Sequence, residues 1–178
     1  LGSSNKVISK FNVSYTLNNA SAYLALNYDK KNKYTLDGSY LQYTSGIATY
    51  GLGSIDRNWS FSNKTSLILS HNARPMEAIY LKLKNKFGYK WLPSNANWSF
   101  EAFNSVLSSS SRVKKPMLLG MRLIIEPYHN LKFELLKTSQ WGGSGYSNSF
   151  SAFSSAILGN TNESNNSNIN ISLFKNSI

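Results

Sequence analysis

Apolar side chains recur at every second position through most of this chain. That period fits strands with one greasy and one polar face, and it excludes amphipathic helices as the main element. Phe11, Val13, Tyr15 and Leu17 alternate with Lys10, Asn12, Ser14 and Thr16, and Ala22, Leu24, Leu26 and Tyr28 share one parity. Tyr34, Leu36, Gly38 and Tyr40 alternate with Thr35, Asp37 and Ser39. Met117, Leu119, Met121, Leu123 and Ile125 interleave with Leu118, Gly120, Arg122, Ile124 and Glu126. Leu131, Phe133 and Leu135 then oppose Lys132, Glu134 and Leu136, and Ile169, Ile171 and Leu173 follow late in the chain. With Ile47–Gly53, Thr65–Leu83 and Asn97–Leu107 added, the pattern predicts about nine or ten strands, an all-β chain. Phe150–Gly159 reads as loop with a short amphipathic turn.

The connections alternate in character. Asn18–Ser21, Thr44–Gly46 and Pro127–Asn130 are tight, whereas Asp29–Lys33, Ser54–Lys64, Ser108–Pro116 and Ser139–Ser167 are longer and polar. If Thr65–Leu83 is one bent strand, short and long connections fall on opposite ends of the sheet, with Lys84–Ala96 the exception. Outer-membrane barrels have short turns at one end and long loops at the other. Tyr15, Tyr28, Tyr34, Tyr43, Tyr80, Trp98 and Tyr128 lie near predicted strand ends, where interfacial girdles would sit. Charged residues make up only 15% of the 178, while Ser and Asn number 52, so polarity comes without dense charge. A soluble β-sandwich shows the same alternation and stays open as an alternative.

The residue inventory narrows the chemistry. Cysteine is absent, which removes disulfides, thiol nucleophiles and thiolate metal sites. His71 and His129 lie in different connections with no third ligand at helical spacing, so no metal site is expected. Ser70 and His71 are neighbours on opposite faces of a strand, and the carboxylates are dispersed, so neither a nucleophile–base pair nor a glycosidase pair forms. Gly142-Gly143-Ser144-Gly145 lacks the lysine of a phosphate loop. No cofactor and no enzymatic activity are expected. The net charge of +11 resides in connections (Lys30, Lys31, Lys33; Lys82, Lys84, Lys86, Lys90; Lys114, Lys115). That distribution suits a membrane rim beside anionic lipid, or a surface attracting an acidic polymer, and not the continuous basic stripe of a nucleic-acid binder.

Four stretches carry more than pattern: Ile55-Asp56-Arg57-Asn58-Trp59, Ser66–Met76 (Ser-Leu-Ile-Leu-Ser-His-Asn-Ala-Arg-Pro-Met), Met117–Leu123 (Met-Leu-Leu-Gly-Met-Arg-Leu), and Lys137–Gly143 (Lys-Thr-Ser-Gln-Trp-Gly-Gly). In order and spacing they resemble the Wzi capsule-assembly family of bacterial outer-membrane proteins, and Trp98–Phe103 is similar to an intervening strand of that family. The resemblance covers about Gly53 to Gly159. Two departures stand out. The family's double Trp followed by Gly-Pro-Gly is here Asn58-Trp59-Ser60-Phe61-Ser62, and its Asn-Asn before Ala-Arg-Pro is here His71-Asn72.

The resemblance implies an eighteen-stranded antiparallel transmembrane β-barrel with a periplasmic helical bundle. It also implies a lectin-like protein that holds capsular polysaccharide at the cell surface. The chain has strands for about half such a barrel, and Leu1–Lys6 show no signal peptide. Residues 1–178 are therefore expected to be an internal segment of an outer-membrane barrel, monomeric in the parent protein, with outer-membrane lipid and an acidic polysaccharide as partners.

The candidate polysaccharide-binding residues are Arg57, Trp59, Asn72, Arg74, Gln140 and Trp141. Arg74 precedes Pro75, which suggests a bulge or an inward-folded segment, and its guanidinium can pair bidentately with a uronate. The alternative is that Arg74 pairs with a lumenal carboxylate such as Glu101 or Glu134. Trp59 and Trp141, placed in long connections, can stack on sugar C–H faces or instead anchor a loop by packing. Glu101, Arg122, Glu126 and Glu134 alternate with apolar neighbours, which points them to an enclosed interior as a charge network. A porin-like transport barrel, a soluble carbohydrate-binding sandwich and, more remotely, an outer-membrane lipid-modifying enzyme are the rival readings.

Overall fold

The computed structural model describes residues 7–29, 33–55, 59, 75–89, 93, 96–107, 113–159 and 167–175. Among them are ten strands and one helix, in two compact units, Leu1–Ile79 and Tyr80–Ile178.

The first unit holds β1 (Val7–Leu17), β2 (Ala20–Asp29), β3 (Tyr34–Thr35), β4 (Tyr40–Ser45), β5 (Ala48–Ile55) and the start of β6 (Met76–Lys86). Its strands neighbour one another in the order β1-β2-β4-β5-β6, with β3 on β2, and the β1–β2, β2–β3, β2–β4 and β4–β5 pairs are antiparallel. Asn18 occupies the left-handed region in the β1–β2 turn (φ 48°), a conformation asparagine tolerates better than most residues. Register puts Val13 opposite Leu24, Ala22 opposite Leu41, and Leu41 opposite Leu52. One face of the unit is therefore apolar, and its large side chains, Phe11, Val13, Leu24, Leu41, Tyr43, Tyr50 and Leu52 among them, are exposed. The other face buries Ala25 and Asn27, stacks Tyr23 on Tyr40, and satisfies Asn27 through the Asp37 carbonyl, 2.8 Å away.

The expected run from Tyr34 to Tyr40 is not one strand. Gly38 takes φ 95°, and the Ser39 amide donates to the Leu36 carbonyl at 2.9 Å, which closes a turn between β3 and β4. An Asp-Gly turn overrides alternation here because only glycine adopts that φ without strain.

The second unit runs β6-β7-β8-β9-β10, with β7 (Asn97–Val106), β8 (Met117–Tyr128), β9 (Leu131–Trp141) and β10 (Ser167–Lys175), and the β7–β8, β8–β9 and β9–β10 pairs are antiparallel. A two-residue turn, His129-Asn130, joins β8 to β9. The β8–β9 register shifts between Ile125 and Tyr128, around Pro127, whose missing amide donor makes a bulge the natural accommodation.

The predicted strand Thr65–Leu83 overlaps β6 only from Met76; residues 65–74 lie outside the described set. Tyr80 is buried with Lys82 over its ring at 5.2 Å, so it belongs to the polar side of β6 and not to an outward girdle. Phe150–Leu158 is a full α-helix, α1, where the sequence reading gave mostly loop. Ser149 caps its N-terminus by accepting from the Ala152 amide, and Gly159 ends it in the left-handed conformation.

Candidate functional site

Pairing across β7, β8 and β9 gathers Glu101, Arg122, Glu126, Lys132 and Glu134 on one face. Glu101 lies directly opposite Arg122, Asn97 opposite Glu126, and Ile124 opposite Glu134. The period of two carries Ser99, Phe103, Ser105, Leu136, Thr138 and Gln140 to the same side. Three ion pairs form there: Arg122 Nε donates to Glu134 Oε1, Lys132 pairs with Glu126, and Lys82 of β6 lies 3.7 Å from Glu101. Asn97 Nδ2 adds a hydrogen bond of 3.1 Å to Glu126. Glu134 is only 2% exposed, and a carboxylate so buried needs a close cation. Glu101, Arg122, Glu126 and Glu134 therefore share one face, and each lies in an ion pair there, two of them with Lys82 and Lys132.

The opposite face carries Trp98, Phe100, Leu123, Ile125, Phe133 and Leu135, with no charge until Lys137 near its end. Phe133 and Leu135 are exposed. Both units thus keep large apolar side chains on one open face and place polar groups on the other.

The candidate binding residues are distributed as follows. Arg57, Asn72 and Arg74 lie outside the described residues. Trp59 is 2% exposed, so its ring is packed away and not an open platform. Gln140 is exposed, on the charged face of β9. Trp141 is not in a long connection: it is the last residue of β9 and points to the apolar face. Its indole Nε1 donates to Asn104 Oδ1 at 3.0 Å, and its ring packs against Phe153 with centroids 5.2 Å apart.

The glycines after Trp141 permit a close approach, but to the protein's own backbone. A side chain on Gly143 would meet Val113 Cγ1 at 2.7 Å and Pro116 Cα at 3.0 Å. The Gly143 amide donates to Asn148 Oδ1, and the Ser144 amide to the Lys114 carbonyl, both at 2.9 Å. This turn is thereby stapled to the β7–β8 connection, which brings two of the longer, polar connections together at one end of the sheet. Asn104 and Asn148 are not among the residues that sequence reasoning singles out; Asn104 leaves a trace, as a polar residue interrupting the apolar parity of β7. Lys82, Lys84 and Lys86, expected in a connection, lie instead in strand β6, because the strand runs on to Lys86.

Known proteins with this arrangement point one way. The strand framework superposes on that of Wzi from Escherichia coli with a TM-score of 0.75, at 18% identity, over 92% of this chain and 37% of that one. That protein is described as an outer membrane protein involved in group 1 capsule assembly and as a carbohydrate-binding β-barrel. The chain is also 25% identical over 112 residues to an uncharacterized 55.8 kDa protein from the cps region of Klebsiella pneumoniae. That match takes in 62% of this chain and 22% of the Klebsiella protein, so the chain spans well under half the length of either relative. A family model described as capsule assembly protein Wzi matches residues 2–172, nearly the whole sequence, and the chain belongs to that family.

Proposed function

We propose that this chain forms part of the wall of a longer, monomeric outer-membrane β-barrel that binds capsular polysaccharide and assists its assembly and attachment at the cell surface. The observation that carries the reading is the sorting of side chains. In the second unit the pairs Arg122–Glu134, Lys132–Glu126 and Lys82–Glu101 share one face, while Phe133 and Leu135 stand exposed on the other. In the first unit Leu24, Leu41 and Leu52 stand exposed on the face opposite Ala25 and Asn27. In water that open apolar face would be costly; against hydrocarbon it is the stable arrangement. Membership of the capsule-assembly family, and similarity to a carbohydrate-binding barrel, support a polysaccharide as the ligand.

On this reading the polymer is held without covalent chemistry at the mouth of the barrel. Gln140 is exposed there, and Arg57, Asn72 and Arg74 are further candidate contacts to the polymer. Arginine suits this task because its planar fork matches a carboxylate bidentately. Trp141 contributes by position: it holds α1 and the turn after β9, and leaves stacking to other rings.

The test is capsule retention by cells that express the full-length protein. Arg74→Ala combined with Gln140→Ala should lower cell-bound polymer and raise released polymer, with the amount of folded protein in the outer membrane unchanged. Normal retention would reject the named residues. Ion conductance in planar bilayers together with normal retention would favour a transport barrel instead.

A further inference from the structure

Helix α1 rests on the apolar side of the sheet, not on the charged one. Its inner residues Ala152, Phe153 and Ala156 pack on Leu119 and Trp141, with Met117 and Met121 at the margin. Leu119 and Trp141 share their face with Leu123 and Leu135, the face read above as lipid-facing. Lys137, from the same face, donates from Nζ to the Ile157 carbonyl at 2.6 Å and secures the helix end. The helix therefore lies outside the wall.

What it turns away from the wall is unusual. Phe150 is 82% exposed, Leu158 is 73% exposed, and Ile157 is exposed beside them. The helix contains no charged residue. A helix covering a soluble protein turns charged groups outward; this one turns outward only uncharged serines such as Ser151, beside the exposed Phe150 and Leu158. Lys114 and Lys115 are exposed at that same end, where anionic headgroups would meet them. The helix belongs to the long connection 142–166, whereas the other end of β9 has the two-residue turn, so by outer-membrane convention it lies at the outer leaflet.

We infer that α1 is an interfacial membrane helix, pressing Phe150, Ile157 and Leu158 into the boundary between headgroups and acyl chains of the outer leaflet and anchoring the rim of the barrel there. This rests on the barrel reading proposed above. It adds a lipid contact site outside the strands and gives the β9–β10 connection a fixed depth.

The experiment is depth-dependent quenching on the full-length protein in vesicles of phosphatidylcholine and phosphatidylglycerol, with or without spin-labelled phosphatidylcholine. Single cysteines at Phe150→Cys, Leu158→Cys and Leu135→Cys carry an environment-sensitive fluorophore. The expected result is loss of fluorescence at all three, with the two helix sites quenched best by a spin label placed high on the acyl chain. Quenching at 135 but open access of a water-soluble quencher at 150 and 158 would overturn the helix inference and leave the barrel intact. Shielding of 150 and 158 from both quenchers would overturn it too, in favour of a protein cover. Failure of quenching at 135 would remove the barrel reading and this inference together.

Discussion

Arg122 and Glu134 form their ion pair across a diagonal: Arg122 faces Leu136 in the β8–β9 register, and Glu134 faces Ile124. The long arginine side chain spans that offset, and both groups are largely out of solvent. Such a pair adds little net stability over apolar neighbours, but breaking it is costly, because a buried charge then loses its counter-ion. Glu134→Ala should therefore lower the stability of the full-length barrel in detergent by about 3–5 kcal/mol. The double change Arg122→Met with Glu134→Leu should recover most of that loss. Thermal unfolding of the three proteins checks both statements.

Trp141 separates packing from hydrogen bonding. Trp141→Phe keeps a ring against Phe153 but loses the donor to Asn104, which should cost about 0.5–1.5 kcal/mol. Trp141→Ala also empties the space under α1, for a loss of about 3–5 kcal/mol. Limited proteolysis between Gly142 and Gly159 should be slow in the wild type and the Phe variant, and fast in the Ala variant.

The two ends of α1 are held by different chemistry. Ser149 accepts from the Ala152 amide at 3.2 Å, and Ser149→Ala should cost about 1 kcal/mol. Lys137 puts a cation on the C-terminal carbonyls, and Lys137→Met should cost about 0.3–1 kcal/mol, rising towards 2 where the contact is partly buried. Hydrogen exchange across residues 150–158 should speed up in both variants without a matching change in the amides of β8.

Gly143 and Gly145 both sit at positive φ, 97° and 89°, but in different surroundings. A methyl group at Gly145 meets nothing within 4 Å, so Gly145→Ala should cost only the left-handed conformation, about 1–2 kcal/mol. At Gly143 the same methyl runs into Val113 and Pro116, so Gly143→Ala should cost more and loosen the turn from the β7–β8 connection. Comparing the two melting temperatures tests the difference.

The parts of this fold readable in the sequence are those set by the pleat. Arg122 and Glu126 share a face of β8, as Lys132 and Glu134 share one of β9, because alternate residues of a strand must, and an alternating chain states those faces directly. Partners contributed by another strand were less accessible. Glu101 meets Lys82, and that pairing depends on a register fixed across an intervening connection. The break at Asp37-Gly38 was hidden inside an alternating run, where the turn chemistry of one glycine outweighed four residues of pattern. Helix α1 went largely unread because its flanking Ser and Asn suggested loop; the serine cap at 149 and the glycine stop at 159 were its real boundaries. Trp141 is expected in the long polar connection 139–167, yet β9 runs through it and turns its ring to the apolar side.

The central claim, that the apolar face of these strands meets hydrocarbon, is tested most directly at two adjacent residues of β4. Leu41 points to the apolar face and Gln42 to the other. Arginine on a lipid face costs about 2–4 kcal/mol at the bilayer midplane and little when it points inward. The amount of folded full-length protein in outer membranes should therefore fall sharply for Leu41→Arg and stay near wild type for Gln42→Arg. Equal insertion of the two variants, or loss of Gln42→Arg alone, would contradict the account.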